Sequence, residues 1–423
     1  MASGDLPSID ENEQETLAHM STLVASAPAR ADFLNTHQDY KGLPAVPVGL
    51  NLRTRIAARI VESDTITVKS LDLEKYGEPS TDSFRIGTND FLEKGFFGNY
   101  LRAVLNALAA RERLEHLPGM ELTIRSEIPV GSGLASSAAL EVAFAALLNH
   151  VGKLGLSKRD LAEISYTAEN RELGIPCGRL DQYGAAFGGI IKLDCRPPFN
   201  VESLPFRELT FAVADSGIRH STLKVHSERQ AEIDRGLHAL MGAQNLPEQL
   251  RSKLGYKFDQ PKWDEISERE VENSLAALDD KARRRILFTI RMNRSTSFAL
   301  RILRCQPFSE ADIEANLGAA TCNRLMRVSA MERDCYLLGE IMNEQQLLLR
   351  DLYELSLPRI EDMCAAASAV GAYGAKLSGA GMGGSIIALV KNEQTGGRVV
   401  DACKSVGAEN GWTSKIGEGV SAS

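Results

Sequence analysis

The stretch PVGSGLASSAALEVA, from Pro129 to Ala143, limits what this chain can become more than any other part of it. Gly131 and Gly133 permit a tight bend, Ser136 and Ser137 follow, and the run then turns apolar as a buried helix does. A strand that enters glycines and then a helix aims unpaired backbone N–H groups at one spot, where the helix terminus adds a partial charge of about +0.5. Such a loop suits a phosphate. It is not a Walker loop, because no lysine occurs between Glu121 and Val151. It is not a dinucleotide fingerprint, because LSKRDLAE reads as helix where a second strand is required. Taken alone, a glycine-serine turn that merely starts a helix remains the ordinary alternative.

Composition narrows the partners. At 423 residues and 43% hydrophobic content the chain can bury a large core and divide into two or three domains. A formal charge of −8 argues against nucleic acid or an anionic membrane surface as partner, since both call for a dense basic face. The longest apolar stretch, Ala138 to Val151, contains Glu141 and falls short of the roughly 20 residues of a membrane span. The seven cysteines are scattered, with no Cys-x-x-Cys pair, as in a reducing compartment. The acidic start MASGDLPSIDENEQE has no signal-peptide pattern. These features lead us to expect a cytoplasmic protein, a monomer or weak homo-oligomer, acting on small molecules.

Along the chain, residues 1–25 read as a solvated lead-in. RTRIAARIVESDTITV reads as two strands joined by a turn, FGNYLRAVLNALAARERL as an amphipathic helix with a charged tail, and MELTIRSEI as a half-buried strand. A helix follows from about Ser136 to Val151, and Ser157 with Asp160 three residues on reads as the capping start of a third helix, which carries Glu169. GGIIKLD and LTFAVADS read as strands, Thr222 to Ala372 as mostly helical, and AYGAKLSGAGMGGSIIALV as a glycine loop feeding a strand. The polar segment 244–280 looks like an insertion. The pattern suggests an α+β protein of two lobes, 26–205 and 206–423.

Five blocks, in order, carry a family resemblance: APARADFLNTHQDYKG, PVGSGLASSAALEVA, TAENRELGIPCGRLDQYG, EIMNEQQLLLRDLYELSLPRIEDM and LSGAGMGG. Together they resemble the GHMP kinases, and the AALEVA that follows the two serines brings the chain close to the galactokinase branch. The resemblance implies a ribosomal-S5-like N-terminal domain and a ferredoxin-like C-terminal domain, with ATP and a sugar between them. It implies ATP binding by Gly131, Ser132, Gly133, Leu134, Ala135, Ser136, Ser137 and Ala138, and magnesium ligation by Ser137 and Glu169. Asp181, by residue type a common turn residue, becomes the expected catalytic base, with Arg30 beside it to hold it ionised and to face the transferred phosphoryl group. Gly379, Gly381, Gly383 and Gly384 become the third glycine motif lining the cleft.

His37, Asp39 and Tyr40 match the sugar-binding signature. Two departures bear on which sugar is bound. Where the family has Gly-Glu-His this chain has Asn35, Thr36 and His37, and His226 falls where a sugar-contacting tyrosine is expected. The expected activity is ATP-dependent phosphorylation of the C1 hydroxyl of galactose. Galacturonate, L-arabinose or another sugar altered at C6 is an alternative substrate, and a non-catalytic sugar and ATP sensor is an alternative function.

Overall fold

The computed structural model describes residues 23–423 except 76, 113, 115, 207, 208, 220, 221, 326 and 327. Strands β1 (Leu23–Leu34), β2 (Val46–Val61), β3 (Thr65–Ser70), β4 (Thr81–Arg85) and β5 (Gly119–Ser126) form one sheet in the order β1-β2-β5-β3-β4. The strand Ser421–Ala422 pairs outside β1, so the end of the chain returns to the sheet its first described strand began. β2 and β3 follow each other through a turn but do not pair. β5 lies between them, antiparallel to β2 and parallel to β3. Its alternating Leu122 and Ile124 are buried, as the period of two requires.

β1 corrects one expectation. Leu23–Ala25, placed by sequence in the lead-in, already pair with β2, while residues 1–22 lie outside the described part. Arg30 sits inside this strand and is buried. The segment LVASAPARADFL is poor in β-branched residues, and its extended form comes from pairing along β2. Register shifts at Pro28/Ala29 and at Asp32/Leu34 flank Arg30. Such irregularities bend a strand and re-aim its side chains.

The helix Ser136–Gly152 packs against β1 and β2 and buries Ala139, Val142, Phe144 and Leu147. Its first residue follows Ala135, held in the left-handed region at φ 61°, and no side chain caps it. The N–H groups of its first turn are thus left for an outside acceptor. Ser157 and Asp160 form the expected capping box, and the helix Lys158–Thr167 widens into a π turn over Ala168–Glu172 that carries Glu169. The helix Leu180–Phe187 then begins with Asp181 in its first turn. A hairpin of β6 (Ile191–Leu193) and β7 (Val201–Ser203) leads out of this half.

The second sheet contains β8 (Thr210–Asp215), β9 (Gly374–Ser378), β10 (Ser385–Val390) and β11 (Asn410–Lys415), all antiparallel, in the order β11-β8-β10-β9. With helices inserted after β8 and after β10, this is the ferredoxin-like arrangement. The helices Asp280–Leu303 and Ala330–Asp351 belong to the first, long crossover. Segment 244–280 is more than a loop: Trp263, Leu250, Val271 and Leu275 pack with Ile233 and Leu237 into a small core of its own. Among the described residues no helix is long and apolar enough to cross a membrane, and all seven cysteines are free.

One close approach sets the position of the Asp181 helix. A Cβ on Gly184 would lie 2.9 Å from Arg30 Cβ and 3.2 Å from its Cγ. Gly184→Ala should therefore cost about 1–3 kcal/mol through overpacking, measured by urea unfolding. A variant as stable as the parent would show that the helix can back away freely.

Candidate active site

Arg30 joins three pieces of the first lobe. Its Nε and Nη2 donate to Asp181 Oδ1 at 2.9 and 2.5 Å, its Nη1 donates to the Gly133 carbonyl at 2.8 Å, and its backbone N–H donates to the Leu134 carbonyl at 3.2 Å. Burial pulls the Arg30 pKa down, but Asp181, Asp32 and Asp39 outweigh that and leave it raised. Arg179, the basic residue nearest Asp181 in sequence, takes no part: it bonds Glu163 and lies between the rings of Tyr166 and Phe199.

The two glycine motifs meet. Gly131 and Gly133 adopt φ of 73° and 79°, the left-handed turn that a side chain would resist. Ser385, immediately after Gly379, Gly381, Gly383 and Gly384, donates from Oγ to the Ser132 carbonyl at 2.8 Å. Ser132 Oγ itself turns back to the Pro129 carbonyl, whereas Ser136 and Ser137 open the helix. Arg219 approaches the same loop. It is held by Asp215 through two hydrogen bonds of 2.8 and 2.7 Å, and its Cδ lies 3.3 Å from where a Cβ on Gly131 would stand.

Beyond the serines, Ser137 Oγ donates to Glu169 Oε1 at 3.1 Å and Gln182 Nε2 donates to Glu169 Oε2 at 2.6 Å. Burial, with Asp181 adding to it, raises Glu169 to about 7. A hydroxyl beside a buried carboxyl with no cation on it is a fitting hard-oxygen set for magnesium. Among the described residues no three His, Cys, Asp or Glu side chains cluster as a complete metal cage.

The sugar-signature residues occupy a seam between the lobes. Asp39 opens a short turn, with Oδ2 2.8 Å from where a Cβ on Gly178 would stand, and burial, with Asp181 adding to it, raises its pKa. His37 Nε2 donates to the Ala380 carbonyl at 3.0 Å inside the third glycine motif, and burial and His226 keep the ring neutral. His226 lies 4.9 Å from the His37 ring and 5.4 Å from that of Tyr40, whose hydroxyl bonds Tyr353 at 2.6 Å. Thr36 is buried and turned to a residue that sequence reasoning passed over. Lys376 Nζ donates to Thr36 Oγ1 at 2.7 Å, to the Asp32 carbonyl at 3.0 Å and to the Leu377 carbonyl at 2.8 Å. Burial lowers Lys376 to about 8 and raises Asp32 to about 6, each opposing the other's shift.

Lys376, Gln182 and Arg219 all stood within or beside quoted motifs. Only their spatial partners single them out, and those partners are remote for Lys376 and Gln182.

Comparisons with known proteins agree along the chain. A model of the GHMP kinase N-terminal domain matches residues 99–189, one of the GHMP kinase C-terminal domain matches 326–409, and a galactokinase galactose-binding signature matches 14–60. A galactokinase from Roseiflexus sp. is 30% identical over 87% of this chain and 83% of its own. One from Thermococcus kodakarensis is 30% identical over 92% of this chain and 95% of its own. In fold, the chain resembles Lactococcus lactis galactokinase complexed with galactose (TM-score 0.74, 22% identity, 98% of this chain and 100% of that one). It also resembles Methanococcus jannaschii mevalonate kinase (TM-score 0.64, 16% identity, 95% and 100%).

The buried ammonium of Lys376 yields a stability prediction. Lys376→Met removes the larger of the two positive charges that offset the burial of Asp32, leaving only Arg30, and should cost about 3–5 kcal/mol. Adding Asp32→Asn to that variant should recover most of the loss, read as a coupling in a double-mutant cycle of unfolding free energies. Additive effects would mean the two groups do not interact.

Proposed function

This chain belongs to the galactokinase family of the GHMP kinases, and on that ground we propose that it transfers the γ-phosphoryl group of ATP to the C1 hydroxyl of galactose. The observation that carries this reading is Arg30, which holds Asp181 on one side and the carbonyl of phosphate-loop residue Gly133 on the other. A base for the acceptor hydroxyl and a cradle for the donor phosphates are thereby fixed to one guanidinium.

Both Arg30 bonds to the carboxylate land on Oδ1, which leaves Oδ2 to accept the sugar proton. A gap of even about five pKa units between a carboxylate and a sugar hydroxyl would cost about 7 kcal/mol if the proton were removed before bond formation. The proton therefore leaves late, as the sugar oxygen bonds the γ-phosphorus and the bond to ADP breaks, and Asp181 acts mainly by orientation. From Asp181, which is partly exposed, the proton passes to solvent. Arg30, beside the phosphate loop, faces the charge that develops on the transferred group. Backbone N–H groups of Ser136, Ser137 and Ala138 would meet the ATP phosphates. Ser137 and Glu169 would hold magnesium, which when bound supplies neutralising charge to the β- and γ-phosphates. Asp39 and His37 would bind sugar hydroxyls.

The deciding experiment is ADP release by the purified chain with ATP and magnesium over hexoses, uronates and pentoses, with the product examined by 31P NMR. Galactose should give the highest kcat/KM and a phosphorus coupled to the anomeric proton. No ADP release with any sugar would leave a sugar-binding protein without turnover. Asp181→Asn should remove most turnover while ATP binding persists, and Arg30→Ala should lower kcat roughly 100- to 1000-fold. A change confined to KM would make Arg30 a binding residue.

A second substrate reading is favoured by the ammonium of Lys376 behind Thr36. A glutamate at position 36 would repel a C6 carboxylate by on the order of 4 kcal/mol at about 4 Å, and threonine backed by a cation does not. Sugars altered at C6 should accordingly be turned over alongside galactose. Thr36→Glu should shift kcat/KM toward galactose and away from galacturonate, tenfold for each 1.4 kcal/mol. Equal responses of the two sugars would show that position 36 does not read C6.

A further inference from the structure

Two non-glycine residues of the sugar-signature turn stand in the left-handed region, Asn35 at φ 65° and His37 at φ 64°. Both residue types tolerate that region better than most, yet it is uncommon and persists only where the surroundings hold it. Between them Thr36 accepts from Lys376, and His37 reaches the Ala380 carbonyl. The direction of these side chains therefore depends on whatever keeps this backbone in place.

The side chain of Asn35 has no part in the reaction described above, and it is buried with its amide spanning the two lobes. Its Nδ2 donates to the Pro44 carbonyl, which can only accept, so Oδ1 must face the other way. There it accepts from Thr296 Oγ1 at 3.0 Å, on the helix Asp280–Leu303, whose hydroxyl also lies 2.9 Å from the Met292 carbonyl one turn back. Gln345, on the helix Ala330–Asp351, closes the ring. Its Nε2 donates to Thr296 Oγ1 at 3.0 Å and to Ser295 Oγ at 3.1 Å, and its Oε1 accepts from the Asn35 backbone N–H at 3.2 Å. Every polar atom of both amides thus has a partner, and Asn35, Thr296 and Gln345 are all buried. A network that is satisfied and shut off from water fixes one geometry. Glycine would adopt the φ of Asn35 at no steric cost, so the amide is not what makes this backbone allowed. What it adds is a tie across the lobes.

We propose that Asn35 is a positioning residue that, through Thr296 and Gln345, fixes the turn at residues 35–37 and so aims His37 and Asp39 at the sugar. This rests on the reading of His37 and Asp39 as sugar-binding residues. The Asn35 carbonyl accepts from the Gln38 N–H at 3.2 Å, which carries the restraint on to the short turn that Asp39 opens. Opening the ring should weaken sugar binding and leave nucleotide binding, which belongs to the glycine-serine loop, as it is.

The test measures the Kd for galactose and the Kd for ADP by titration calorimetry, together with urea unfolding. Asn35→Gly keeps the left-handed backbone accessible and removes the amide, and Thr296→Val keeps the shape and removes the hydroxyl. Each should weaken galactose binding about tenfold or more while ADP binding stays within about threefold of the parent. Thr296→Ser, which retains the hydroxyl, should stay within about threefold for both ligands. Parent-like galactose binding in either Asn35→Gly or Thr296→Val overturns the proposal, even where unfolding shifts to lower urea, because the ring would then serve stability alone. Equal losses for galactose and ADP overturn it too, and so does Thr296→Ser as weak as Thr296→Val. Asp39→Ala separates the two layers. If it weakens galactose binding and the ring variants do not, the sugar-site reading stands and the role of Asn35 falls. If it does not weaken it, or if the parent binds no galactose, both fall. Should Asn35→Gly or Thr296→Val not fold, Gln345→Met opens the same ring, and parent-like galactose binding in it overturns the proposal.

Discussion

A guanidinium buried inside a strand needs its charge answered, and in this protein the answer shapes the site. Arg30 is nearly out of reach of water, and desolvation alone would make it a heavy loss. Asp181 and the Gly133 carbonyl compensate it from opposite sides. The helix of Asp181 must come close to β1, which Gly184 allows, and the glycine-serine loop must fold back over the same strand, which the Leu134 carbonyl secures. The Asp181 helix and the glycine-serine loop therefore share one anchor. A displacement of either is felt by the other.

The second organising element is the polar seam where the lobes touch. His37 bonds the third glycine motif, Ser385 bonds the phosphate loop, Lys376 bonds Thr36, and Gln345 accepts from the backbone of Asn35 while donating to Thr296. Lys41, next to Asp39 and Tyr40, is buried against the rings of Phe288 and Tyr353 with Thr289 as its hydrogen-bond partner. Each such bond is stronger in a water-poor interface than in water, and each is costly if its partner moves away. The sugar-signature turn is thus clamped from the C-terminal half and depends on both lobes for its shape.

The seam also sets the charge beside Thr36. In this chain the cation of Lys376 is balanced by Asp32 and hydrogen-bonded to a neutral threonine, so the potential beside position 36 differs from that of a site with a glutamate there. Shape and charge there are set by a group in β9, well away from the motif that carries Thr36.

What was legible in the sequence follows rules of close neighbours. The uncapped glycine-serine entry to the helix at Ser136, the Ser157–Asp160 capping box and the alternation of β5 each depend on residues a few positions apart, and all appear where local chemistry places them. The order of motifs likewise pointed to the family. The tertiary structure alone decided that an alanine-rich segment is a strand, that β5 separates β2 from β3, and that Arg179 serves Glu163 and not its neighbour Asp181. Those outcomes turn on burial and on partners about a dozen to several dozen residues away. A buried charge or strand edge takes whichever partner the packed chain brings within reach, and no local propensity encodes that choice.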